Sequence, residues 1–71
     1  MELLNKEGVI EILEGEYLDA LAFFSGIVAK YPEKEWHTII HNIDDIVFPW
    51  VVSEDAYNVW MDIFYALLAG C

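Results

Sequence analysis

The chain has 71 residues, a mass of 8.2 kDa, and 13 acidic against 3 basic residues, which give a formal net charge of −10. This length predicts a single acidic domain over residues 1–71, with a small core and a folded surface of about 4,500 Å². So few cations exclude direct nucleic-acid binding as the main activity, and the single Cys excludes an intrachain disulfide or a cysteine-rich zinc site.

The N-terminal segment predicts an amphipathic helix over about Lys6–Glu14, because its apolar residues fall on one side at the helical period. Asn5 is a good cap for the start of this helix, and Gly15 suits a left-handed residue at its end. A short strand over Val9–Leu13 is the alternative interpretation of the same apolar residues.

The second predicted helix covers about Glu16–Lys30 and ends ahead of Pro32. It is apolar on most sides, which predicts a central position in a bundle. Gly26 within this helix marks either a close approach between two helices or a point of weakness.

The third predicted helix begins at Pro32 and ends at Pro49, with apolar residues spaced along one helical face. The connection Phe48–Val52 is apolar, although most loops are polar, so it either packs inward or faces a partner. Trp50 in this connection either covers the end of the bundle or anchors a partner.

The fourth predicted helix is capped by Ser53 and runs to about Ala69. Its apolar residues cover roughly 200° of the helical wheel, which is wider than the ~100° that one core face needs. The extra width predicts a contact with a second copy of the chain. The predicted dimer interface consists of Tyr57, Trp60, Met61, Phe64 and Leu68. The predicted fold is therefore all-α, a small single-domain bundle of three to four short helices.

Acidic residues give the most distinctive surface pattern. Glu7, Glu11 and Glu14 share one face of the first helix at roughly 6 and 4.5 Å along its axis, where like charges repel each other. This stripe either imitates a row of phosphates and docks into a basic groove, or is a solvated face that aids solubility. Asp44 and Asp45 lie near a helix end that disfavours negative charge, so we add them, with Trp50, to the predicted partner-binding residues.

His37 and His41 share a face of the third helix, at a spacing that can hold a divalent metal. Thr38 follows the first His where a metalloprotease has Glu, and a structural zinc site needs two further ligands. We therefore expect two ordinary surface imidazoles, with no metal and no cofactor. The two Ser residues and Cys71 have no base placed beside them, so we expect no enzymatic activity.

The chain combines 58% hydrophobic residues and a mean hydropathy of +0.38 with its high charge. This combination predicts a folded protein with more apolar surface than one small core hides, and hence a possible homodimer. No apolar stretch reaches the ~18 residues of a membrane span, and no signal peptide is visible, so a cytoplasmic protein without membrane contacts is expected.

In size, acidity and lack of a catalytic motif, the chain resembles phage-encoded anti-defence proteins, the anti-restriction and anti-CRISPR inhibitors. It also resembles, more broadly, the acidic immunity proteins that neutralise basic nucleases. These resemblances rest on composition and helix content, and they imply a DNA mimic whose carboxylates occupy the basic surface of a nucleic-acid-binding enzyme. The alternative function is a homodimeric structural or assembly protein that uses the apolar face of the last helix.

Overall fold

Four α-helices joined by short segments form the protein in the computed structural model, which describes residues 4–70. The helices are α1 (Lys6–Glu14), α2 (Tyr17–Val28), α3 (Trp36–Val47) and α4 (Glu54–Ala69). Residues 4–70 contain no strand, so the all-α prediction is confirmed and the alternative strand near the N-terminus is wrong. Within this part of the chain, every helix is too short or too polar to span a bilayer.

The predicted N-terminal caps are confirmed by their hydrogen bonds. Asn5 Oδ1 accepts from the Gly8 N–H at 2.7 Å, and Ser53 Oγ accepts from the Ala56 N–H at 3.1 Å. Each bond satisfies an N–H that the first turn of the helix leaves without a backbone partner. The two caps fix where α1 and α4 begin.

The predicted left-handed conformation of Gly15 is wrong, because its φ is −86°. The N–H of Gly15 donates to the Ile12 carbonyl at 3.2 Å, which closes α1 with a tight 3₁₀-type turn. This bond ends the helix without a left-handed residue. The chain then enters α2 after Glu16.

The third helix is shorter than the predicted span between its two prolines. Glu33–Glu35 forms a 3₁₀ turn before α3, closed by a 2.8 Å bond from the Glu35 N–H to the Pro32 carbonyl. Phe48–Trp50 forms a second 3₁₀ turn after α3, because Pro49 has no N–H with which to continue an α-helix. The two turns direct α3 across the bundle against α2 and α4.

The core lies between α2, α3 and α4, and α1 closes it with Val9 and Leu13. Its largest side chain is Trp60, which is 0% exposed and meets the Phe24 ring edge-on at a centroid distance of 5.0 Å. Only one side of α2 is buried, and its Leu18 is 72% exposed. The predicted enclosure of the second helix is therefore wrong, because residues 4–70 provide no further element to cover its outer side.

Candidate functional site

The predicted carboxylate stripe lies on the solvent side of α1. Burial of Val9 and Leu13 fixes the rotation of this helix and leaves Glu7, Glu11 and Glu14 exposed. The spacing of three and four residues thus produces one acidic face, as the sequence indicates.

Two clefts flank the C-terminal end of α1, and both carry carboxylates. The cleft between α1 and α2 has a volume of about 400 Å³ and is lined by Gly8, Glu11, Ile12, Gly15, Glu16 and Asp19. The cleft between α1 and α4 has a volume of about 430 Å³ and is lined by Leu13, Glu14, Gly15, Ser53, Asp55, Ala56 and Val59. Gly15 lines both clefts, so acidic residues from three helices converge around it.

We name this surface the acidic corner and define it as Glu11, Glu14, Glu16, Asp19 and Asp55. Sequence reasoning missed its last three members, because their proximity to α1 depends on how α2 and α4 pack against that helix. One available signal was the short connection after Gly15, which keeps the start of α2 beside the end of α1.

The carboxylates of the acidic corner have no cationic partner. Neither cleft is lined by a Lys, and no salt bridge forms among residues 4–70. Asp19 and Asp55 lie in the first turns of α2 and α4, where the helix dipole favours negative charge. Glu11 and Glu14 lie towards the C-terminal end of α1 and receive no such benefit. Local helix energetics therefore explains the placement of Glu11 and Glu14 less well than that of Asp19 and Asp55.

Asp44 has a structural role that the sequence analysis did not predict. Its Oδ1 accepts a 2.7 Å hydrogen bond from Trp60 Nε1, which supplies the one polar atom of that buried ring with a partner. Neither Asp44 nor the exposed Asp45 lines the clefts beside α1. The structure thus keeps both residues apart from the acidic corner.

Trp50 packs against the core from the apolar connection between α3 and α4. It is partly buried and lines neither acidic cleft. Its neighbour Phe48 remains more exposed and faces the Tyr57 ring at a centroid distance of 6.2 Å. The arrangement favours the interpretation in which Trp50 covers the end of the bundle.

Two of the five predicted dimer-interface residues are corrected by the structure. Trp60 and Phe64 belong to the core of the monomer, because this side of α4 packs against α2 and α3. Tyr57, Met61 and Leu68 remain on the outer flank of α4, at least partly exposed. Tyr65, which the prediction omitted, is 63% exposed on the same flank.

His37 and His41 lie on the surface of α3, as predicted, with ring centroids 4.7 Å apart. The His41 ring also meets Phe64 edge-on at 5.4 Å, so its position has a packing explanation. Among residues 4–70, no group of three or more His, Cys, Asp or Glu residues is arranged to hold a metal ion. Cys71, which the sequence analysis considered as a nucleophile, lies outside the described residues.

No protein-family model, curated protein or solved structure matches this chain.

Proposed function

We propose that the protein is an inhibitor that binds the basic nucleic-acid-binding surface of an enzyme through the α1 stripe and the acidic corner. The observation that carries this proposal is the convergence of carboxylates from three helices with no Lys among them. Such a surface has a strongly negative potential, which accelerates encounter with a basic partner. Inhibition follows from occupancy alone and requires no chemical step.

The spacing of the carboxylates supports the choice of partner surface. Along α1 the stripe presents a charge roughly every 4.5–6 Å, whereas each strand of B-DNA presents one about every 3.4 Å of helix axis. The acids of α2 and α4 add charges on both sides of this line. A groove of Lys and Arg that normally holds phosphates would meet carboxylates at a similar density.

The first experiment is affinity capture from bacterial lysate at low salt, with elution by excess duplex DNA and identification by mass spectrometry. The test variant carries Glu7→Gln, Glu11→Gln and Glu14→Gln, which remove three charges from α1. The expected result is a nucleic-acid-binding enzyme that the wild type retains, that duplex DNA releases, and that the variant fails to capture.

A matched control carries Glu33→Gln, Glu35→Gln and Asp62→Asn, because these exposed residues line neither acidic cleft. It loses the same number of charges as the test variant, so the two proteins differ only in where the charge is removed. The control should capture the enzyme as the wild type does. Equal loss of capture in both variants would show that net charge, and not the α1 surface, is responsible.

The second candidate function is a homodimeric assembly protein built on α4. The exposed flank of Tyr57, Met61, Tyr65 and Leu68 favours it. Against it, α4 contains no basic residue, so a second α4 would bring like charges together. Met61→Glu tests it by solution mass: a halved mass would support the α4 seam, and an unchanged mass would reject it.

A further inference from the structure

The outer side of α2 is an uncharged surface on a strongly charged molecule. No charged residue occurs between Asp19 and Lys30, although the chain carries a net charge of −10. Leu18 projects from this side with 72% of its surface exposed, and Ala22 and Gly26 beside it are also exposed. The fold leaves this side of α2 without a partner among residues 4–70.

An apolar cleft runs along the flank of the same surface. It has a volume of about 340 Å³ and lies between α2, the start of α3 and the end of α4. It is lined by Leu21, Ser25, Val28, Ala29, Trp36, Ala66, Leu67 and Gly70. No charged side chain of residues 4–70 lines it, and Ser25 and Ala29 connect it to the outer side of α2.

We propose that a second copy of the chain docks on this surface, with the two α2 helices antiparallel and each Leu18 seated at the cleft of the other copy. The seam residues Leu18, Ala22, Ser25 and Ala29 follow one another at intervals of four, three and four residues, the spacing of a helix–helix seam. This spacing is symmetric about its midpoint. An antiparallel pair therefore sets Leu18 opposite Ala29 of the second copy, and Ala22 opposite Ser25.

Gly26 borders this seam, one helical turn after Ala22, and is consistent with a close approach of the two helices. Apart from the backbone of its own helix, no atom of residues 4–70 lies within 4 Å of a Cβ added at this position, so the packing of the monomer does not require glycine there. Its φ is not positive, so the backbone conformation does not require glycine either. A glycine in the interior of a helix weakens it, whereas at a contact between helices it lets the backbones approach.

The charges at the two ends of the surface favour a second copy over another occupant. Asp19 lies in the first turn of α2, and Lys30 follows the C-terminal end of that helix, about three helical turns away. In an antiparallel pair the start of each helix lies beside the end of the other, so Asp19 of each copy comes to the end that carries Lys30 of the other. Lys30 has no carboxylate partner among residues 4–70. The contact would therefore gain two complementary pairs in a molecule that otherwise repels its own copies.

The test measures solution mass by sedimentation equilibrium at physiological salt, where the Debye length is about 8 Å and long-range repulsion is screened. The wild type should show twice the 8.2 kDa chain mass. Gly26→Leu should return the mass to that of one chain, because the new side chain separates the helices. The same variant should keep its helical circular dichroism, because the position is open in the monomer. Tyr65→Glu, on the exposed flank of α4, is the control and should leave the mass doubled.

A charge exchange tests the antiparallel pairing. Asp19→Lys alone and Lys30→Asp alone should each weaken the dimer, and the two changes together should restore it. A wild type that stays at the mass of one chain up to millimolar concentration would overturn the proposal. A doubled mass that persists in Gly26→Leu, or that is lost in Tyr65→Glu instead, would also overturn it. Asp19 also belongs to the acidic corner, but the mass readout needs no inhibitor partner, so its outcome is separate from that of the capture experiment.

Discussion

The hydrogen bond between Trp60 and Asp44 gives the sharpest prediction about stability. Trp60 Nε1 donates to Asp44 Oδ1 at 2.7 Å, and the donor ring is 0% exposed. Asp44→Ala would remove the acceptor and leave the indole N–H buried without a partner. We expect this change to destabilise the fold, although it removes an unfavourably placed negative charge near the C-terminal end of α3.

The magnitude follows from three opposing contributions. Loss of a hydrogen bond to a charged group costs about 1.5–3 kcal/mol. Removing the charge returns about 0.3–1 kcal/mol of helix-dipole energy, and the higher helix propensity of Ala returns up to roughly 0.7 kcal/mol. The hydrogen bond is the largest of these, and the middle of the three ranges leaves a net loss of about 1 kcal/mol. A chain of this length has only roughly 4–10 kcal/mol of total stability.

Urea unfolding followed by circular dichroism measures this loss, with Asp45→Ala as the matched control. Asp45 is the next residue on the same helix end, but it is exposed, and its side chain forms no hydrogen bond within residues 4–70. Asp45→Ala gains the same helix-dipole and helix-propensity contributions to stability, but it loses no hydrogen bond. The free energies of unfolding of the two variants should therefore differ by about 1.5–3 kcal/mol. With a urea slope near 1 kcal/mol/M, the two midpoints should separate by about 1.5–3 M. Coincident midpoints would refute the reasoning.

Three further predictions concern the caps, the core and the stripe. Ser53→Ala should lower the free energy of unfolding by about 1 kcal/mol, because α4 loses its capping bond, and a thermal midpoint about 4–8 °C lower would show it. Ile43→Val should cost about 0.5–1.5 kcal/mol in urea unfolding, because it removes one methylene from a fully buried site, and an unchanged midpoint would contradict that burial. Glu7→Gln, Glu11→Gln and Glu14→Gln together should raise the thermal midpoint slightly at low salt, because the relieved repulsion and the removal of Glu14 from the last turn outweigh the first-turn dipole benefit of Glu7. The rise should be smaller at high salt, since repulsion between exposed charges is screened. A lower midpoint in that triple variant would show that the carboxylates stabilise α1.

The sequence was sufficient where local chemistry decides the structure. Asn5 and Ser53 cap the helices they were expected to cap, because the bond joins residues only three apart. The rotation of α1 was predictable for a similar reason, since its apolar and acidic residues separate cleanly on the helical wheel. The backbone conformation of Gly15 was not predictable, because several turn geometries satisfy the last carbonyls of a helix. The left-handed geometry is only the commonest of them.

The features that required the structure depend on packing between helices. The wide apolar arc of α4 did not reveal which part faces the core, so Trp60 and Phe64 could not be separated from Tyr57 by periodicity. The acidic corner could not be predicted for the same reason, because Asp55 lies beside α1 only through the packing of α4 against that helix. The composition of α2 did not indicate that one of its sides is uncovered, since a helix that is apolar on most sides is usually enclosed.

We propose that this protein and nucleic acid compete for one surface of the partner enzyme. The most direct measurement titrates the protein into a complex of the captured enzyme with fluorescently labelled duplex DNA and follows the anisotropy. We expect the anisotropy to fall to the value of free DNA with the wild type, and the α1 triple-glutamine variant to leave the complex intact. A rise in anisotropy, which would report all three components bound together, or equal displacement by the triple variant, would contradict it.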